Sequence, residues 1–380
     1  MGILSFSPEG SVVFRSPGPF VFQFPQDWPL LAGSGLRWYG LLMGIAVGTG
    51  LFLARSLAER RRLEREPGQA SERIEQLALW LVIAGFAGAR LYYVATHWST
   101  YAANPLASLA IWQGGIIIHG GILGGVLALY LYSRFTQIDV WRYADVLAPS
   151  LILGQAIGRW GNFFNSEAYG APIALESGWP LREFIPEAAR VPEFSNFEFF
   201  HPIFFYESAL NLLLFALLMV MFWKIPKLKP GTWVWTYVVG YSLIRIPYEI
   251  LRISAVAYLG NTSIKVAYIA SAVGIVLGVG MLVYMYRFRY DPNLEALTAW
   301  LSSTAGLDLM KAEDLVQRAW LIQQRHRQTD LMDRVILAMP NFPSTMAESL
   351  SRSQREHLMQ ELFQKLEGKS PSPVGLLTDG

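Results

Sequence analysis

The chain has 380 residues, 53% hydrophobic and 16% charged, with a formal net charge of +2. A soluble protein carries about 25% charged residues, so a wholly water-soluble fold is excluded, and so small a net charge gives no basis for a nucleic-acid partner. Cysteine is absent, which rules out disulfides, thiolate metal sites and a cysteine nucleophile in the chain itself. Charge is also unevenly placed. No Asp, Glu, Lys or Arg occurs from Leu91 to Ser133, whereas the stretch after Arg287 is full of them. The pattern is that of a polytopic membrane protein with a water-soluble tail.

Crossing the hydrocarbon core takes about 20 mostly apolar residues. The N-terminal segment, residues 1–34, has no basic stretch leading into an apolar run, so no cleaved signal peptide is expected. Seven spans are then predicted: Arg37–Leu57, Leu77–His97, Gly114–Ser133, Asp145–Asn165, Pro202–Trp223, Thr232–Leu251 and Val266–Tyr286. Basic residues crowd alternate connections. Arg60, Arg61, Arg62, Arg65 and Arg73 follow the first span, Arg134 and Arg142 the third, Lys224, Lys227 and Lys229 the fifth, and Arg287 and Arg289 the seventh. The positive-inside rule puts these connections in the cytoplasm and the N-terminus outside.

Residues 166–201 then form an external head, acidic through Glu167, Glu176, Glu183, Glu187, Glu193 and Glu198 against Arg182 and Arg190. The expected class is all-α: a seven-helix membrane domain over residues 35–286 with an external head segment and a cytoplasmic tail, residues 287–380. In the tail, Leu307, Met310, Leu315, Ala319 and Ile322 fall at helical spacing on one face. Lys369–Gly380 is rich in Pro, Ser and Gly and is expected to be disordered. No period of about 20–50 residues repeats.

Each helical residue advances about 1.5 Å, so orientation makes depth readable. Tyr39 starts the first span at its outer end, Arg90 lies in the outer half of the second, and His119 lies just below the outer end of the third. Arg159 and Asn162 come near the outer end of the fourth, Glu207 opens the fifth, and Tyr241, Arg245 and Glu249 occupy the outer half of the sixth. Polar groups that lipid rejects thus gather at one depth, and a shared site accounts for that better than scatter does. The guanidinium groups of Arg90, Arg159 and Arg245 are permanently charged forks suited to phosphate or carboxylate. Each costs about 2.5–3.5 kcal/mol at mid-bilayer, so partners are required. Glu249, four residues after Arg245, is placed to hold it, and Glu167 to hold Arg159. Two readings stand: ion pairs that lock helices together, or a cationic pocket for the phosphate of an outer-leaflet lipid.

His119 is flanked by Gly114, Gly115, Gly120, Gly121, Gly124 and Gly125. Small residues at this spacing let helices approach closely. The histidine is either a satisfied hydrogen-bonding residue or a proton-transfer group, for which its pKa near neutrality is suited. His201, just before Pro202, either starts a helix or joins the site. His97, His119 and His201 show no metal-ligand spacing, and no nucleotide-binding loop is present, so neither metal nor cofactor is expected. Trp38, Trp98, Trp112 and Trp179 read as interface-belt residues.

The densest information lies in Gly158–Gly170, Gly-Arg-Trp-Gly-Asn-Phe-Phe-Asn-Ser-Glu-Ala-Tyr-Gly. Its Gly158-Arg159, Gly161-Asn162-Phe163, Asn165, Glu167 and Gly170 resemble the signature of the prolipoprotein diacylglyceryl transferase family. Other blocks agree in order: Arg37-Trp38-Tyr39-Gly40, Gly88-Ala89-Arg90-Leu91, His119-Gly120-Gly121, His201-Pro202 with Tyr206-Glu207, and Tyr241 with Arg245, Glu249 and Arg252. The resemblance spans about residues 35–286. It implies an enzyme of the bacterial inner membrane that moves a diacylglyceryl group from phosphatidylglycerol to the lipobox cysteine of a prolipoprotein. A thioether forms and glycerol phosphate leaves.

By the same resemblance Arg159 and Arg245 grip the lipid phosphate and His119 helps to deprotonate the thiol. Tyr39, Asn162, Glu167, Gly170 and Tyr241 shape the pocket, with Arg90, Asn165, His201, Glu207 and Glu249 around it. Two departures stand out. Asn261-Thr262-Ser263-Ile264-Lys265-Val266 occupies the place of a glutamine-containing stretch, and the tail has no counterpart in short members of the family. A rival from another class is a non-catalytic lipid-binding protein or transporter using the same cationic pocket. A transporter would show duplicated halves or broken helices, and neither is evident here. A third possibility is an enzyme of this fold acting on a different headgroup.

Overall fold

A computed structural model describes residues 3–289 except 7–9, 29–32, 65, 103, 111–114, 137, 226–227, 255 and 259–261. The chain divides into two compact units, Met1–Leu282 and Val283–Gly380. The second is described only as far as residue 289, so the predicted tail face from Leu307 to Ile322 and the Lys369–Gly380 stretch lie outside the described residues. So do Arg65, Trp112, Gly114, Lys227 and Asn261.

The chain is mostly helical, with α1 (Trp38–Arg60), α2 (Gln69–Thr96), α3 (Trp98–Tyr101), α4 (Ile118–Thr136), α5 (Val140–Phe164), α6 (Ile203–Lys224), α7 (Thr232–Leu251) and α8 (Val266–Tyr284). Among the described residues, every one of these except the short α3 overlaps a predicted span. Four of them, α1, α2, α6 and α8, are long and apolar enough to cross a membrane on length and composition alone. The other three carry His119 and Arg134 on α4, Arg142, Asp145 and Arg159 on α5, and Arg245 and Glu249 on α7. Large apolar side chains such as Phe52, Leu91, Leu123, Leu213 and Val276 are exposed on the outer faces. In water that surface would be an aggregation hazard. It suits lipid.

The all-α expectation needs one correction. Among the described residues there are six short strands: β1 (Leu4–Phe6), β2 (Val12–Arg15), β3 (Phe20–Gln23), β4 (Gly35–Arg37), β5 (Leu181–Phe184) and β6 (Phe199–Phe200). One sheet has the order β1-β2-β5-β6, and β3 pairs with β4. The strand β2 of the N-terminal segment runs parallel to β5 of the head, Val12 opposite Leu181 and Arg15 opposite Phe184. The N-terminal segment and the head are therefore one structure. Strands of two to four residues are too short for a period-2 pattern to register, so the sequence did not announce them. Phe14 of β2 packs edge-on against Phe163 of α5 and Phe204 of α6, with centroids 6.4 and 5.4 Å away. That aromatic cluster seats the sheet on the ends of the two helices that carry Arg159 and Glu207.

Packing follows the small residues and the caps. The helix α1 packs on α5, α2 on α4, and α5, α6 and α7 on one another. Asp139 caps α5 by accepting from Trp141 N at 2.8 Å and Arg142 N at 3.3 Å, satisfying amides that a helix start leaves free. The start of α7 is capped instead by a side chain from α5. The buried carboxylate of Asp145 accepts from Gly231 N at 2.7 Å and Val234 N at 3.0 Å. This pins the register of α7 against α5, and with it the spacing of Arg245 from Arg159. Between α2 and α4 the backbones touch: a methyl on Gly120 would overlap the Gly88 carbonyl, and one on Gly124 would overlap Ala84 O. Gly124→Leu is expected to cost roughly 1–3 kcal/mol or more through overpacking; a thermal-unfolding midpoint equal to that of the parent protein would show that the two helices do not pack this closely.

Candidate active site

The last turns of α5, the first turns of α6 and the C-terminal half of α7 converge on one carboxylate. Glu207 on α6 is 0% exposed. Its Oε2 lies 2.9 Å from Arg159 Nε and 3.6 Å from Arg245 Nη1, and its Oε1 accepts from Tyr241 Oη at 3.3 Å. Glu249, also buried, receives Arg245 Nη2 at 2.7 Å, one helical turn away as the four-residue spacing predicts. Arg252 Nη1 lies 3.7 Å from the same oxygen. The ring of Tyr248 faces all three guanidinium groups, with its centroid 5.4, 4.5 and 5.9 Å from Arg159, Arg245 and Arg252. Three guanidinium groups thus share two buried carboxylates, leaving this cluster positive and suited to a further anion. Among the described residues no group of three or more His, Asp or Glu side chains could hold a metal ion.

The expected direct pairing of Glu167 with Arg159 gives way to a relay. Arg159 Nη1 donates to Asn162 Oδ1 at 3.3 Å, and Asn162 Nδ2 donates to Glu167 Oε1 at 2.9 Å. Asn165 Nδ2 reaches the same Glu167 oxygen at 3.3 Å. The reason is local. The helix α5 ends at Phe164, and the chain turns through left-handed backbone at Ser166 (φ 53°) and Ala168 (φ 54°), which points Glu167 outward. Non-glycine residues in that region are costly, and such strain collects at functional sites. Tyr39 lies against Gly161, where a Cβ would come 2.6 Å from its ring, so the glycine makes room for the tyrosine beside Asn162. Gly170 is equally constrained: a Cβ there would meet Ile203 at 2.7 Å and His201 at 2.8 Å. Its N–H donates to His201 O, and it bridges to Arg252 at the end of α7.

Arg90, His119 and His201 have their own neighbours. Arg90 is buried and donates to main-chain carbonyls, Nε to Ser108 O at 2.7 Å and Nη1 to Gly115 O at 2.9 Å, with Nη2 near Ala107 O and Ala110 O. It clamps the segment that leads into α4, a different task from gripping phosphate. His119 stands one residue into α4, half-buried, with Tyr92 beside it at 6.4 Å between ring centroids. His201 packs edge-on to Trp179, 5.0 Å away, and its Nδ1 lies 3.5 Å from Tyr206 Oη. Burial pushes its imidazole below the usual histidine range.

Residue spacing alone did not single out Tyr248 or Lys265. Tyr248 comes three residues after Arg245, so its place on that helix face was a usable signal. Lys265 sits in the stretch that departs from the family pattern. Its ammonium donates to Glu249 O and to Arg252 O, closing the carbonyl end of α7, where a cation is favoured by the helix dipole.

Known proteins resemble this chain over most of its length. Residues 29–284 match the family model described as prolipoprotein diacylglyceryl transferase. A Trichormus variabilis protein is 44% identical over 284 residues, covering 73% of this chain and 96% of its own length. A Synechococcus elongatus protein is 47% identical over 281 residues, with 73% and 90% covered. Another Synechococcus protein is 49% identical over 247 residues, with 64% and 82% covered. All three bear the name phosphatidylglycerol–prolipoprotein diacylglyceryl transferase. With that match across two thirds of its length, this chain belongs to the prolipoprotein diacylglyceryl transferase family.

Proposed function

We propose that this membrane transferase moves the diacylglyceryl group of phosphatidylglycerol onto the lipobox cysteine of prolipoproteins, the first step of bacterial lipoprotein maturation. The observation that carries the reading is the sharing of Glu207 by Arg159 and Arg245 from separate helices. The thiolate sulfur attacks the glyceryl carbon bonded to the phosphate oxygen. A C–S bond forms, that C–O bond breaks, and glycerol phosphate departs with the electron pair. The leaving monoester carries more negative charge than the diester did, so arginines aimed at it bind the transition state more strongly than the ground state. A free cysteine has a pKa of about 8.5, and His119 is the residue we assign to accept its proton. Tyr39, Asn162, Asn165, Glu167, Gly170, Tyr241 and Glu249 shape the lipid site, while Arg90 and His201 hold the segments at its edge.

The same reading places the chain in the bacterial inner membrane with seven spans, the N-terminus and head outside and the tail after residue 287 in the cytoplasm. The basic connections at alternate helix ends support that orientation. The deciding assay is incubation of purified protein with phosphatidylglycerol and a lipobox peptide: a mass gain of one diacylglyceryl group on the cysteine is expected, and lipid binding without transfer would favour the non-catalytic rival. Running the assay with other phospholipids sets the headgroup preference. Arg159→Ala and Arg245→Ala are each expected to lower the rate by at least about 10²–10³-fold, as loss of one preorganised charge does elsewhere, with membrane insertion retained. Normal activity in both would end the phosphate-clamp assignment. His119→Gln should slow transfer by about 10²–10⁴-fold, the usual worth of a general base, and an undiminished rate would remove that role while leaving the family assignment intact.

A further inference from the structure

A second polar layer lies beneath the ion cluster. Each helix that supplies the cluster carries another polar residue one turn deeper: Gln155 four residues before Arg159, Asn211 four after Glu207, and Tyr237 four before Tyr241. Residues four apart share a helix face, so the deeper three look into the same core as the upper three. Gln155 Nε2 donates to Tyr237 Oη at 2.9 Å, and Tyr237 stacks on Tyr241 with 6.0 Å between centroids. Ser208, beside Glu207, donates to Ala156 O at 2.9 Å and ties α6 to α5 at this level.

Asn211 belongs to the buried stripe of α6 and is 0% exposed. Neither its Oδ1 nor its Nδ2 finds a hydrogen-bonding partner among the described residues, and neither does the buried Oε1 of Gln155. A buried amide left unmatched costs about 1–3 kcal/mol. The next buried positions of the same stripe, Leu214 and Leu218, are apolar, so the amide is an exception on its own helix. Buried polar atoms in such clusters are ordinarily matched by ordered water, each molecule making about 3 hydrogen bonds.

We propose that Gln155, Asn211 and Tyr237 form a water-binding site under Glu207, in which bound water joins the two amides and hydrates the floor of the ion cluster. Water at this position offsets part of the cost of burying the cluster's charges, adding to the ion pairs and to the hydrogen bonds with Tyr241 and Asn162. The site is independent of the reaction catalysed, so its tests are made without substrate.

A density map of the full-length protein in lipid nanodiscs, at a resolution that shows water, is expected to contain water within hydrogen-bonding distance of the Asn211 amide and Gln155 Oε1. A map with no water there overturns the proposal. Thermal unfolding gives a second readout. Asn211→Leu should lower the midpoint by several degrees, because Gln155 and the water lose a partner, and Asn211→Ser, which keeps a hydroxyl, should recover part of the loss. A leucine variant as stable as the parent or more so, or a serine variant no better than leucine, means a dry layer and defeats the idea. Absence of transferase activity in the parent protein would leave both readouts intact and bear only on the proposed reaction.

Discussion

One fully buried carboxylate holds the ends of three helices together. Glu207 lies between Arg159 of α5 and Arg245 of α7, and the three helices cannot part there without stranding a charge in a poorly solvated core. Breaking such a pair by removing one partner typically costs about 3–5 kcal/mol. The same arrangement limits neutralisation, because one acid cannot balance two bases. Glu249 restores part of the balance for Arg245, yet it also faces Arg252. The acids keep the arginines in place, and on the proposed function the surplus of positive charge is what the lipid phosphate meets, so stability and anion affinity come from the same groups.

The surroundings serve to hold that cluster rigid. Asp145 caps the start of α7 from α5, fixing the lengthwise position of one helix against the other. Lys265 closes the far end of α7, and Gly170 stitches that end to the strained turn around Glu167. The head sheet, seated through Phe14 on Phe163 and Phe204, holds the ends of α5 and α6 from above. Arg90 orders the approach to α4, so that the histidine one residue into that helix has a defined starting point. A site made of long, flexible arginines needs this support, since small misplacements of charged groups are costly to catalysis.

The long helices and the places of the polar groups along them were legible in the sequence because both rest on local rules. A run of apolar residues must be helical in lipid to satisfy its own backbone, and an arginine within such a run must have a reason to be there. The signature from Gly158 to Gly170 was equally plain, as was the pairing of Arg245 with Glu249, which the helical repeat imposes. The glycines around His119 announced a close helix contact, and Gly120 and Gly124 make it with α2.

Tertiary structure decided what depends on which faces meet. Glu167 and Glu207 were both available to Arg159, and only the turn at Ser166 and Ala168, which sends Glu167 outward, leaves Glu207 as the partner. Arg90 was expected at the depth of the other arginines, yet the carbonyls of Ala107, Ser108, Ala110 and Gly115 occupy it. The sheet joining the N-terminal segment to the head unites strands separated by more than 160 residues. By itself, then, the sequence determined the chemistry of the parts and their places along the helices, since hydrophobicity and the helical repeat act over a few neighbouring residues. The choice of partner for each charge was left to the fold, because rotating a helix by a single residue turns a side chain by about 100° and changes every neighbour it meets.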